Sequence, residues 1–132
     1  MKLVVDASVA VTATMTPWGF TRFNRFEMIA PSLMLAEALS VIHEMCWRSE
    51  VSIQQAKRMR NRLINAPIER VDDDELALDA WATSDEFGWA KTYDAHYVAL
   101  ARRAKCKLVS LDGRLLRGIA RIDIGRFPRD LT

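Results

Sequence analysis

The stretch Tyr93-Asp94-Ala95-His96-Tyr97-Val98-Ala99-Leu100-Ala101-Arg102-Arg103-Ala104-Lys105-Cys106-Lys107-Leu108-Val109-Ser110-Leu111-Asp112 decides the fold. Tyr93 to Ala104 holds no glycine or proline and reads as a helix, and Lys107 to Leu111 is a short β-rich run that reads as a strand closed by Asp112. A helix delivering the chain into a short apolar strand is half of a strand–helix–strand crossover, which requires matching halves elsewhere in the chain.

They are found on the amino-terminal side. Lys2 to Val5 is a strand ending at Asp6, with Ser8 placed to cap or brace the turn that follows. Met28 to Pro31 is a second strand, and a long helix runs from Ser32 to about Arg48. Ser52 followed by Gln55 has the spacing of a capping box and starts a helix to Asn65, ended by Pro67. Ile68 to Val71 is a third strand. The acidic run Asp72-Asp73-Asp74-Glu75 reads as the amino-terminus of a helix reaching Phe87, where negative charge suits the helix dipole, with Gly88 as its stop. Gly113 to Gly118 predicts a short helix and Arg121 to Ile124 a last strand. Between Ala10 and Phe26 the pattern breaks at Thr12, Thr14, Thr16, Pro17 and Gly19, although Phe20, Phe23 and Phe26 can share one side. Strands alternating with helices imply right-handed crossovers and an α/β fold in three layers, a mostly parallel sheet covered on both faces.

The 132 residues, 50% of them hydrophobic, make one domain, residues 1–132, with a real core. Nineteen basic against 17 acidic residues leave a net charge of +2, which excludes a strongly basic nucleic-acid coat and confines any such contact to a local patch. Cys46 and Cys106 lie far apart in apolar surroundings and read as reduced core thiols. No secretion signal opens the chain, and Glu37, His43 and Glu44 interrupt its longest apolar-rich region, so the expectation is a cytoplasmic protein with no membrane partner.

Four acids stand where burial should exclude them. Asp6 closes Leu3-Val4-Val5, Glu37 interrupts an apolar helical stripe, Asp94 opens the helix quoted above and Asp112 closes Leu108-Val109-Ser110-Leu111. An unpaired buried carboxylate is costly. If the four converge, a divalent cation is the simplest compensation, because oxygen-rich sites suit magnesium or manganese. Asp6 and Asp112 directly follow strands, and ligands of parallel sheets bind beyond the strands' carboxyl ends. Taken singly, each acid has an ordinary structural explanation at a strand end or helix cap.

The segments Val4-Val5-Asp6-Ala7-Ser8, Ala30-Pro31 leading to Leu35-Ala36-Glu37-Ala38, Thr92 to Ala101 and Leu108 to Asp112 resemble, in order, the motifs of PIN-domain proteins, with the nearest likeness to the VapC-type toxins of toxin-antitoxin pairs. The resemblance spans almost the whole chain. It implies a PIN-like α/β/α sandwich and a Mg²⁺- or Mn²⁺-dependent endoribonuclease, homodimeric, restrained by a cognate VapB-type antitoxin and hydrolysing RNA phosphodiesters. It implies Asp6 and Asp94 as principal metal ligands, Glu37 and Asp112 as completing the catalytic acid set, and Ser8 and Ser110 as bracing hydroxyls. The chain departs from the family's pattern between Asp6 and Glu37, where a short, threonine-rich segment leaves little room for the usual helix pair.

Further basic and aromatic residues frame that expectation. Arg114 and Arg117 follow Asp112 closely and are the candidate RNA-binding residues, ahead of Arg121, Arg126 and Arg129 and of the helical cluster Lys57, Arg58, Arg60 and Arg62, which reads as a solvated face. Trp18 is the candidate for base stacking; Trp47, Trp81 and Trp89 are expected in a core or a dimer interface, and Met28, Met34, Met45 and Met59 as filler. His43 and His96 fall off the face that carries the acids, which disfavours histidine general-base chemistry. Two other functions fit less well: a non-catalytic PIN-fold regulator binding RNA or protein, and a receiver-like phosphoacceptor. The first has no use for self-repelling acids, and the second expects paired acids after the first strand, where Asp6 stands alone.

Overall fold

The computed structural model describes residues 1–132. Five parallel strands, β1 (Lys2–Val5), β2 (Glu27–Pro31), β3 (Ile68–Val71), β4 (Lys107–Val109) and β5 (Gly125–Arg126), lie in the order β3-β2-β1-β4-β5. Leu3, Val4, Val5, Leu108 and Val109 have no exposed surface, as strands buried on both faces require. The edge strand β3 exposes Glu69 and Arg70.

Six helices complete the layers: α1 (Ala7–Ala13), α2 (Leu33–Trp47), α3 (Ile53–Ile64), α4 (Asp74–Phe87), α5 (Tyr93–Ala104) and α6 (Gly113–Gly118). From β1 the chain steps outward through α1 to β2 and through α2 and α3 to β3. It then returns through α4 and α5 to β4, on the other side of β1. Right-handed crossovers in opposite directions put α1, α2 and α3 on one face and α4 and α5 on the other. The strand order reverses between β1 and β4, and the crevice at their carboxyl ends is where such sheets bind ligands.

Local chemistry fixes the helix ends. Ser52 caps α3 by accepting from the Gln55 N–H at 3.0 Å, and Asp73 caps α4 through Leu76 N–H at 2.7 Å, so the acidic run is a helix start, as its dipole argument required. Gly88 closes α4 with φ of 71°, a left-handed turn natural to glycine.

Three expectations need correction. The last strand is Gly125–Arg126 rather than Arg121 to Ile124, because Ala120–Ile122 winds into a 3₁₀ turn and Asp123 leaves it with φ of 54°. Gly125 lets this edge close on α6 without displacing a side chain, since a Cβ there would stand 2.6 Å from Leu116 Cδ2. β4 stops at Val109, freeing Ser110 and Leu111 to turn over the sheet end. The free thiols of Cys46 and Cys106 are only partly buried rather than core; of the two places expected for Trp47 and Trp81, a core or a dimer interface, their exposure of 82% and 66% removes the core, and Trp89 is half-buried and stacks on Phe87. The segment before β2 holds one seven-residue helix, a turn and a 3₁₀ turn at Thr21–Phe23, the curtailed form its composition implied; Phe23 is buried, with Phe20 and Phe26 packed on the core.

Candidate active site

Asp6 leaves β1 in extended geometry and caps α1, its Oδ1 accepting from Val9 N–H at 3.1 Å and from the Ser8 hydroxyl at 2.6 Å. Oδ2 accepts a short bond from the Ser110 hydroxyl. Each serine is itself oriented from the turn after β4: Ser8 Oγ accepts from Leu111 N–H at 3.0 Å and Ser110 Oγ from Asp112 N–H at 2.9 Å. The serines therefore tie the ends of β1 and β4 together through the carboxylate. A carboxylate oxygen has two lone pairs, and only Oδ2 keeps one free of these contacts.

Glu37 comes from α2, in the layer of α1, and Tyr97 from α5 in the opposite layer. The Tyr97 hydroxyl donates to Glu37 Oε1 at 2.7 Å, bridging the two layers above the strand ends. Asp94 sits in the first turn of α5. Asp112 caps α6, accepting from the N–H groups of Arg114 at 3.0 Å and Leu115 at 3.3 Å. The sheet edge thus gathers all four acids from four different elements.

Their electrostatics close into a ring. Burial pushes the Asp6 carboxyl up, against its hydroxyl and amide donors, and the charge of Asp112 adds to the rise. Glu37 is raised by burial and by Asp94 and Asp6, with the Tyr97 bond opposing. Asp94 is raised by burial and by Asp112, with Arg114 opposing. Not one of the four makes a salt bridge to lysine or arginine. Four like charges with no salt bridge, and with Arg114 acting on one of them only from a distance, are the donor set a hard divalent cation satisfies. As they stand, no three acid, histidine or cysteine side chains are close enough to hold one ion between them, so water or side-chain rotation must complete any shell.

A cleft of about 640 Å³ opens over Glu37 and Asp94, lined also by Lys91, Tyr93, Arg114 and Trp89. Arg114 is where the sequence argument wanted a cation. Arg117 stays on α6, its Nη1 3.0 Å from where a Cβ on Gly113 would stand. Arg121 is taken by Glu86 and Arg126 by Asp123, while Lys57 and Arg60 border a separate apolar groove between α2 and α3. The ring of His96 meets the Thr92 carbonyl on its own helix, at 2.7 Å, and His43 is exposed. Tyr97 and Lys91 carried no assigned role from sequence. Tyr97 looked like core filler, and its one signal was a hydroxyl in an otherwise apolar run.

The match to the PIN-domain family model covers residues 3–122. The chain belongs to the PIN-domain family. Members of that family are generally nucleases acting on phosphodiester bonds. Among solved structures, PAE2754 from Pyrobaculum aerophilum is similar over 89% of this PIN domain and 86% of that chain, with a TM-score of 0.71 and 23% identity. A toxin-antitoxin complex from Klebsiella pneumoniae is similar over 98% and 100%, with a TM-score of 0.68 and 13% identity. At these identities the likeness establishes the shared fold. A search of curated proteins gave no match. No helix of the chain is long and apolar enough to cross a membrane.

Proposed function

We propose that this single PIN domain is a divalent-metal-dependent endoribonuclease of the VapC type, the toxin of a toxin-antitoxin pair. The observation that supports it most is the ring of four acids, none of them salt-bridged to a lysine or arginine. A fold without a metal to hold would have little reason to raise three carboxyl groups over one sheet end. Asp6 and Asp94 are the principal ligands in this reading, and Glu37 and Asp112 complete the set. Bound there, Mg²⁺ or Mn²⁺ supplies charge neutralisation at the phosphate and a water of lowered pKa as nucleophile.

The chain's own residues do the rest. Ser8 and Ser110 fix the rotamer of Asp6 so that its remaining lone pair on Oδ2 is directed without cost at the moment of binding. Tyr97 holds Glu37 against the repulsion of Asp94 and Asp6. Arg114 and Lys91, beside Asp94 in the cleft, draw the phosphate toward a centre that would otherwise repel it, and Arg117, one turn further along α6, adds to the local positive charge.

Leu78 and Trp81, 71% and 66% exposed and three residues apart on α4, support a homodimer that covers them, and the solved toxin-antitoxin complex of the same fold supports an antitoxin partner. The free cysteines suit a reducing cytoplasm. The deciding experiment incubates an RNA panel with and without manganese, compares the parent with Asp6→Asn, and sequences the product ends. Metal-dependent cuts lost in the variant are expected; cleavage that ignores both metal and variant would refute the reading.

A further inference from the structure

A second groove, of about 430 Å³, opens on the other flank of the acids, between α1 and the turn at Pro128–Asp130. Its lining includes Trp18, Arg22, Leu111, Phe127 and Arg129, and no acidic residue. It adjoins the site through two residues. Leu111 precedes Asp112 and binds Ser8 through its N–H, and the Phe127 ring lies 3.8 Å from where a Cβ on Gly113, the residue after Asp112, would stand.

The chemistry of the groove is that of a nucleotide. Trp18 is 66% exposed, an apolar surface held in water that folding alone does not explain. Arg22 has no ion pair or hydrogen bond and only lies over the Phe23 ring at 5.5 Å; Arg129 lies over Phe127 at 4.7 Å and reaches Asp130 only at 4.0 Å. One unpaired cation and one held only by a long contact to Asp130 therefore border a groove whose Leu111 is the chain neighbour of Asp112.

The platform is also rigid. Gly19 passes so close to the end of α1 that a Cβ would sit 1.7 Å from the Ala13 carbonyl oxygen. The Thr21 hydroxyl donates to the Trp18 carbonyl at 2.7 Å, Gln55 Nε2 to the Met15 carbonyl at 3.2 Å and Arg62 Nη1 to the Thr14 carbonyl at 2.9 Å. An exposed aromatic ring on a backbone tied down at both ends is what base stacking needs, since little order is lost on binding.

We propose that this groove is a nucleotide subsite for single-stranded RNA: Trp18 stacks on an unpaired base flanking the scissile phosphate, and Arg22 and Arg129 hold neighbouring phosphates. The proposal rests on the ribonuclease reading and adds where the strand leaves the acids and why it must be unpaired there. An acidic peptide would also meet cations here, but a groove adjoining Asp112 through Leu111 and bordered by an exposed indole favours the base.

The test is fluorescence anisotropy of a labelled oligoadenylate on the full chain carrying Asp94→Asn, with Trp18→Ala or Trp18→Phe added. Trp18→Ala is expected to weaken binding about tenfold or more, and Trp18→Phe to restore most of it. An abasic ribose-phosphate oligomer is expected to bind both equally. Arg22→Ala with Arg129→Ala is expected to lower the slope of log affinity against log salt by about 1.4, two single-strand phosphate contacts. Trp18 is exposed, so its loss leaves the core untouched. Equal oligoadenylate binding with and without the indole overturns the subsite, including the case in which the groove serves a peptide. The nuclease reading is judged separately, by whether Asp94→Asn alone stops cleavage.

Discussion

Asp73 and Glu86, at the start and near the end of α4, are each gripped by arginine, whereas Asp6, Glu37, Asp94 and Asp112 above the sheet meet hydroxyls, amides and one another. Arg102 binds Glu86 through two bonds of 2.6 and 2.9 Å and Arg121 adds a third at 2.9 Å; Arg103 binds Asp73 at 2.9 and 3.1 Å. Those contacts, Arg102 first, hold the Glu86 carboxyl at about 2, and Arg103 lowers Asp73. Over the sheet the shifts run upward. One set ties helices together at the surface; the other stores repulsion at a cleft. Acidity alone did not separate them in the sequence, and the location of the arginines does.

The largest effect that would sharpen this contrast is on cleavage. Asp94→Asn and Asp6→Asn are each expected to lower metal-dependent RNA cleavage by about a hundredfold or more, beyond the 10–100-fold typical of residues that only orient ligands. Glu86→Gln is expected to leave the rate unchanged. Initial rates on one RNA substrate in manganese measure both, and Asp94→Asn cutting as fast as the parent would break the comparison.

A smaller effect is expected at Tyr97. Tyr97→Phe keeps the ring in its core position but removes the one hydroxyl that holds Glu37. Roughly tenfold lower kcat with little change in KM is the outcome for a positioning residue. A purely structural hydroxyl would lower the melting temperature and spare kcat.

Much of this site was legible because its residues sit at element ends. Asp6 and Asp112 follow runs of Val and Leu that can only be buried strands, so their place at the sheet edge follows from the parallel topology. Glu37 stood out as a charge in an apolar stripe. Tyr97 did not, because an aromatic residue in a buried helix face is ordinary until its hydroxyl is seen to reach another layer. Arg121 to Ile124 alternates like a strand, yet the chain turns there, since a left-handed Asp123 and the close approach of Gly125 to Leu116 are tertiary facts. For Trp47 and Trp81 the sequence leaves core and dimer interface both open, because a large apolar side chain left on the surface carries no distinguishing local pattern.

Metal should separate the two acid sets by stability as well. Mn²⁺ or Mg²⁺ at a hundred times its dissociation constant adds ~2.7 kcal/mol to a protein that binds it only when folded. The parent and Glu86→Gln are expected to melt several degrees higher in millimolar metal, and Asp6→Asn with Asp94→Asn not at all. Calorimetry in metal and in chelator measures it. An unchanged melting temperature in the parent would count against a shared site.

The smallest expected effect is the pH dependence of the metal-free protein, where the two sets have opposite signs. Asp6, Glu37 and Asp94 have folded pKa values above their ordinary ones, so the folded state binds protons more tightly. Their contribution is most favourable below the ordinary carboxylate range and is lost as pH rises from about 4 through the raised values. Asp73 and Glu86 are lowered, so their contribution is present above about 4.5 and is lost as pH falls toward 2. The two trends meet only between about 4 and 4.5; below that range the lowered pair sets the slope, and above it the raised acids do. Glu86→Gln should therefore flatten the acid limb of a urea-midpoint profile and leave the rest unchanged, and Asp94→Asn should do the reverse. Both partners of the Glu86 contact are solvent-exposed, which keeps the acid-limb change small. If Asp94→Asn instead steepened the loss above pH 4.5, the repulsion assigned to the sheet edge would have the wrong sign, and the contrast between the two sets of acids would fail with it.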